Sequence, residues 1–246
     1  MQPFHQQPDP LPPALTNYTN NASGTEGPLY RFLMKDGTMM TTEMIYGSSC
    51  RESWLKEFLL PMYKHGDMIV GLDTEWSLKH SPDTGTNETR IVLLKLCNQA
   101  CCLLIKLDMS PPSIIEELSR LLVNKDLLFA GININKDLEL LRKGYGLEIK
   151  SYLELSELAS SVVHVLPQPQ PQPHMVHQAL NHCTYSIRGL ASEILSQPLK
   201  PRPMSVAEAD WSGSSLTVEQ IEYATGDAYF TYKIAQKLLI NIGLKY

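Results

Sequence analysis

The chain has 246 residues, 43% hydrophobic and 19% charged, which suits one sizeable globular domain, or one domain with appendages, and excludes disordered and fibrous classes. No apolar run approaches the length of a membrane span, and the N-terminus lacks both the basic start and the apolar core of a secretory signal, so an intracellular protein of the nucleus or cytoplasm, with no membrane partner, is expected. The net charge of −5 lacks the broad basic footprint usual in nucleic-acid binders, yet leaves room for a site made of carboxylates balanced by metal ions.

The five cysteines (Cys50, Cys97, Cys101, Cys102 and Cys183) are odd in number and lack paired spacings with helper histidines. Buried free thiols are therefore expected rather than a disulfide framework or a zinc site.

Residues 1–28, rich in Gln, Pro, Asn, Ser and Thr, predict a disordered tail. From residue 29 to 246 the pattern is that of a folded domain. Its first part, 29–66, reads as a hairpin and helix extension: two apolar runs flank Lys35-Asp36-Gly37, and Ser48-Ser49 offers a cap for a helix carrying Trp54, Leu55, Phe58 and Leu59. Met68–Asp73 is a short buried-type strand, and Arg90–Leu96 with Cys101–Leu107 completes an antiparallel three-strand meander. A helix follows Pro111-Pro112 through Leu121, then a strand at Leu127–Ile132 and a helix at 136–143 ended by Gly144. A short strand at 147–149 and a helix at 153–162 come next. The stretch Leu166-Pro-Gln-Pro-Gln-Pro-Gln-Pro173 marks a surface insertion over 164–184. A helix at 186–195, a proline-rich loop, and a long helix from 217 to about 240 finish the chain, the last opened by a Thr217/Gln220 capping box. Strands first, then strands alternating with helices, predict an α/β domain with a mixed central sheet flanked by helices.

Three places carry acidic groups that core building does not require. Asp73 and Glu75 lie two apart at the end of an apolar strand and so share a face, where the pair repels unless a cation lies between. Mg²⁺ or Mn²⁺ is the natural partner of such oxygen donors; a solvated acidic turn is the other reading. Asp137 falls in the first turn of a helix, where the helix dipole alone accounts for an acid, or beyond the carboxyl end of a strand, where α/β sheets build sites. Tyr223 and Asp227 stand four apart on the last helix and share a face; packing alone would also explain the tyrosine. Gly226, beside them, costs the helix roughly 1 kcal/mol relative to alanine and suggests a close approach of its backbone to the sheet.

Together the three places follow the order of the DEDDy 3′–5′ exonucleases: Asp-x-Glu on a strand, Asp after a later strand, Tyr-x-x-x-Asp on the last helix. From Met68 to Leu239 the sequence resembles the exonuclease domain of the Werner-syndrome family, including its small stand-alone plant members. The likeness extends to Val92–Cys97, Leu153–Ala159, Tyr185–Leu190 and Trp211. It implies a ribonuclease-H-like fold and hydrolysis of nucleic acid from the 3′ end with two ions of Mg²⁺ or Mn²⁺. Asp73, Glu75 and Asp227 would hold the metals, Asp73 bridging both and Asp137 completing the second site. Tyr223 would orient the attacking water, and Glu222 stands where the histidine subclass has its histidine. Leu72, Thr74 and Trp76 would line the pocket of the 3′-terminal nucleotide, with Trp76 equally readable as core. Lys136, Arg142, Arg188 and Arg202 are candidate phosphate contacts. The chain departs from the family in its Pro/Gln insertion, in Gly226 where threonine is more usual, and in a thinly basic loop from Leu199 to Ala209.

The competing reading is a degenerate member of this fold that binds nucleic acid or protein without cutting. Intact metal ligands weigh against it. The sequence leans slightly to RNA or short single strands as substrate. Self-association through the hairpin edges (29–46) is a further expectation, as is weak protein docking on the Pro/Gln segment, which lacks a Pro-x-x-Pro anchor with basic flanks.

Overall fold

The computed structural model describes residues 28–47, 53–80, 85–165 and 185–244. The expectations for the tail, the Ser48-Ser49 cap, Cys50, Cys183 and almost all of the Pro/Gln insertion lie outside the described residues.

Seven strands form one mixed sheet: β1 (Leu29–Leu33), β2 (Met39–Ile45), β3 (Ile69–His80), β4 (Asn87–Cys97), β5 (Cys101–Lys106), β6 (Leu128–Gly131) and β7 (Tyr152–Glu154), in the order β1-β2-β5-β4-β3-β6-β7. β3, β4 and β5 make the antiparallel meander, while β6 and β7 add in parallel beside β3. The hairpin β1–β2 joins this sheet through a parallel β2–β5 pairing.

Side chains alternate across the strands, and the apolar ones divide between two cores. Ile69, Leu93, Cys97, Leu104 and Ala130 face α4 (Leu155–Val165), α5 (Ile187–Leu195), the short α6 (Met204–Ala207) and α7 (Val218–Asn241). Val70, Leu72, Leu94, Leu96 and Phe129 face α1 (Trp54–His65), α2 (Pro112–Leu122) and α3 (Ile134–Tyr145). Cys97, Cys101 and Cys102 are free thiols; burial pushes Cys101 up to about 12, which keeps it protonated and inert. No helix among the described residues is long and apolar enough to cross a membrane.

Four elements differ from expectation. α3 runs through Gly144 to Tyr145, and Gly146, in the left-handed conformation, caps it instead. β3 runs on to His80 because residues beyond a bulge at Glu75/Trp76 pair with the start of β4. Residues 147–149 form no strand: Leu147 is buried and Ile149 half-buried against the α3-side core. The ladder with β6 is taken instead by Tyr152–Glu154, so the next helix starts at Leu155.

α7 opens with the predicted capping box, Thr217 and Gln220 each bonding the other's backbone N–H. Two tyrosines fasten its middle. Tyr229 donates to Asp36 in the β1–β2 turn (2.6 Å), and Tyr232 donates to Asp67 just before β3. The helix crosses β3 at Gly71, where an added Cβ would lie 2.5 Å from the Tyr232 nitrogen and 2.6 Å from the Ala228 carbonyl oxygen. The close approach expected at Gly226 is thus made by Gly71; a Cβ on Gly226 would meet nothing within 4 Å.

The two glycines should behave oppositely in urea titrations. Gly71→Ala forces backbone apart and should cost on the order of 3 kcal/mol, whereas Gly226→Ala should stabilise by about 0.5–1 kcal/mol through helix propensity alone.

Candidate active site

Alternation along β3 sends Asp73 and Glu75 to the α7 face and Leu72 to the opposite core. The bare backbone at Gly71 lets α7 settle onto the strand, and Asp227, next to Ala228 at that crossing, reaches the β3 pair. Oxygens of Asp73, Glu75 and Asp227 all lie within 4.8 Å of one another. Such a cluster of hard oxygen donors suits a divalent cation.

Two side chains from elsewhere already touch it. Lys95 on β4 is the cross-strand partner of Asp73, with its Nζ 2.5 Å from Asp73 and 2.8 Å from Glu75. Arg202, on the loop before α6, bonds Glu75 at 2.7 Å and Asp227 at 2.5 Å. The Trp211 ring stands beside both cations, 6.0 Å from the ammonium and 5.8 Å from the guanidinium. Burial raises Glu75, but Lys95 and Arg202 outweigh it and hold the carboxyl below its ordinary value. Burial likewise opposes the charge of Lys95, and Asp73, Glu75 and Asp227 reverse the effect, so its pKa is raised and it stays an ammonium.

Asp137 sits in the first turn of α3, just behind this cluster. Its carboxylate accepts from the Thr74 hydroxyl at 2.7 Å. The turn itself is held by Glu154, whose carboxylate accepts from the backbone N–H groups of Asn133 and Ile134; Asn133 takes the left-handed conformation, φ 58°. Burial pushes Asp137 up to about 7, with the Thr74 hydrogen bond opposing and Asp73 adding to the rise.

A cleft of about 380 Å³ opens over the carboxylates, walled by Thr74, Ile132, Asn133, Tyr185, Ile187 and Arg188 among others. Tyr223 lies one helical turn before Asp227, half-buried; burial raises its phenol and Arg188 opposes. Trp76 is 49% exposed and carries the Lys136 ammonium 5.0 Å above its ring, so it is a surface platform and not core. Leu72, expected in the nucleotide pocket, is 1% exposed and packs in the α3-side core: strand alternation turns it away from the face that Asp73 and Glu75 share. Arg142 lines a separate groove with Glu139 and Glu148.

Lys95 escaped sequence reasoning as a site residue. Its signal was present, a lone charge inside the otherwise apolar run Ile91–Cys97, since lysine is almost never fully buried unless paired.

Comparison with known proteins gives this geometry a family. The 3′–5′ exonuclease family matches residues 49–242. The chain belongs to that family. As a member, this exonuclease domain is 28% identical over 187 residues to the mouse bifunctional 3′–5′ exonuclease/ATP-dependent helicase WRN, covering 76% of the chain but 12% of that protein. It is also 28% identical over 131 residues to the Arabidopsis RISC-interacting clearing 3′–5′ exoribonuclease 1, covering 52% of the chain and 64% of that protein. The chain therefore spans less than two thirds of either relative. The fold of the exonuclease domain is that of Escherichia coli RNase D, with a TM-score of 0.59 at 18% identity, covering 82% of this chain and 45% of that one.

Asp137 gives the exonuclease domain a pH signature. A folded-state pKa near 7, raised from 3.8, means its contribution to stability is fully present below the ordinary value and lost as pH rises toward 7. Asp137→Asn should stabilise the protein in EDTA near pH 8 by about 1–3 kcal/mol and change little near pH 4, as read from urea midpoints at the two pH values.

Proposed function

We propose that the chain removes nucleotides from the 3′ end of nucleic acid by hydrolysing the terminal phosphodiester with divalent cations. The observation that carries this is the meeting of Asp73, Glu75 and Asp227 oxygens within 4.8 Å at the floor of an open cleft. The donors are those that Mg²⁺ or Mn²⁺ takes, and Asp73 and Asp137 would serve a second ion of the two-ion scheme, Asp137 through water. The bound metal supplies a water of lowered pKa and a positive field for the scissile phosphate.

The chain's own residues do the rest. Tyr223 orients the attacking water, its phenol too weak a base to act without the metal. Arg188 on the cleft wall holds a phosphate, and the Trp76–Lys136 pair offers the terminal nucleotide a ring face beside a cation. Thr74 holds Asp137 through its hydroxyl. RNA is the favoured substrate, in keeping with the Arabidopsis relative and RNase D, both named as exoribonucleases.

A second reading has one observation in its favour. Lys95 and Arg202 already neutralise much of the cluster, as a binding module without metal would require.

A time course on 5′-labelled single-stranded RNA and DNA with Mg²⁺ or Mn²⁺ decides between them. Shortening from the 3′ end, stopped by EDTA and lowered on the order of 10³-fold by Asp73→Ala, supports the exonuclease. Tyr223→Phe should lower kcat by about 10²-fold, and Trp76→Ala should raise KM more than it lowers kcat. Intact substrates with retained binding would establish the non-cutting module instead.

A further inference from the structure

We infer that the Lys95 ammonium stands in for one of the two metal ions, so that this chain works with a single divalent cation at the Asp73–Glu75–Asp227 cluster. The inference rests on the exonuclease reading and replaces its two-ion scheme with a single ion held beside a fixed ammonium.

Lys95 cannot step aside for a metal. It lies on β4, between β3 and β5, and its side chain is 0% exposed. The neighbours on its own face, Leu93 and Cys97, are core residues, and Trp211 closes the far side. Withdrawing the ammonium would bury it without partners or expose the centre of the sheet, and an unpaired buried charge is among the costliest defects a fold can carry. Arg202 differs in each respect. It sits on a loop, its side chain is 23% exposed, and it can turn from Glu75 and Asp227 toward a substrate phosphate when a metal enters.

The ammonium is also in the place that matters. Two cations about 4 Å apart would have to share the few oxygens of this cluster, and Asp73, the bridging candidate, already gives one oxygen to Lys95 at 2.5 Å. A second divalent ion on Asp73 would face a fixed positive charge a few ångströms away in a poorly screened interior. Charge balance points the same way: the carboxylates of Asp73, Glu75 and Asp227 are neutralised by one ammonium and one divalent ion. Lys95 thus supplies the fixed positive field of the missing ion, while the single metal supplies the activated water that an ammonium cannot.

Mn²⁺ binding to the full chain, counted by electron paramagnetic resonance and calorimetry with excess uridine 5′-monophosphate as product probe, tests this. Wild type should take one ion, and its rate of RNA degradation should rise with a Hill coefficient near one in Mn²⁺. Lys95→Gln, checked for a native circular dichroism spectrum in EDTA, should take two, with a Hill coefficient near two. Two ions on wild type overturn the inference whether or not the variant folds. One ion on wild type and still one on the folded variant also overturn it, while leaving the exonuclease reading intact. No ion on wild type, with no RNA degradation, defeats both.

Discussion

The approach of the α7 backbone to β3 at Gly71 is the constraint on which the rest depends. A helix resting on a sheet normally stands off by the thickness of its side chains, about 10 Å between layers. Here a missing Cβ removes that spacer at one point, where the Ala228 carbonyl and the Tyr232 nitrogen would crowd any side chain. Asp227 precedes Ala228, and Asp73 follows Gly71 by two residues. The crossing therefore sets how near a helix carboxylate comes to a strand carboxylate, and with it whether the cluster can share a cation at all.

Close carboxylates are unfavourable by themselves, and the protein answers with two cations of different character. Lys95 belongs to the sheet and is as fixed as the register that pairs it with Asp73. Arg202 belongs to a loop and bridges Glu75 and Asp227. One stabilises the cluster permanently; the other can exchange places with a ligand. Asp137 stands apart from this balance, tied to Thr74 and left with a proton near neutral pH. The pocket thus combines ionised, compensated and protonatable carboxylates within one short reach of chain.

Much of this was legible in the sequence because it is periodic. Alternation placed Asp73 and Glu75 on one face, helical spacing aligned Tyr223 with Asp227, and the capping box fixed the start of α7. What was not legible depends on the third dimension. The close approach was expected at Gly226 because a helix glycine is conspicuous, whereas the crossing lies at Gly71, which looks like any strand glycine until α7 is laid over it. Leu72 was expected in the pocket by adjacency, but alternation turns it to the opposite core. The strand expected at 147–149 failed because two apolar residues alternating with a charged one, Leu147-Glu148-Ile149, read alike whether they anchor a loop in a core or pair in a ladder. Lys95 became interpretable only through the register that sets it opposite Asp73.

The tyrosine fastenings of α7 have a mechanical meaning. Tyr229 and Tyr232 pin the middle of the helix to the β1–β2 turn and to the entry of β3, while Tyr223 and Asp227 ride on the half nearer its start. A third tie lies between the site residues themselves, where the Thr225 hydroxyl meets that of Thr42 on β2 at 3.0 Å. The edge hairpin thus acts as a clamp: it grips the helix on both sides of Asp227 and fixes the angle at which that carboxylate faces β3.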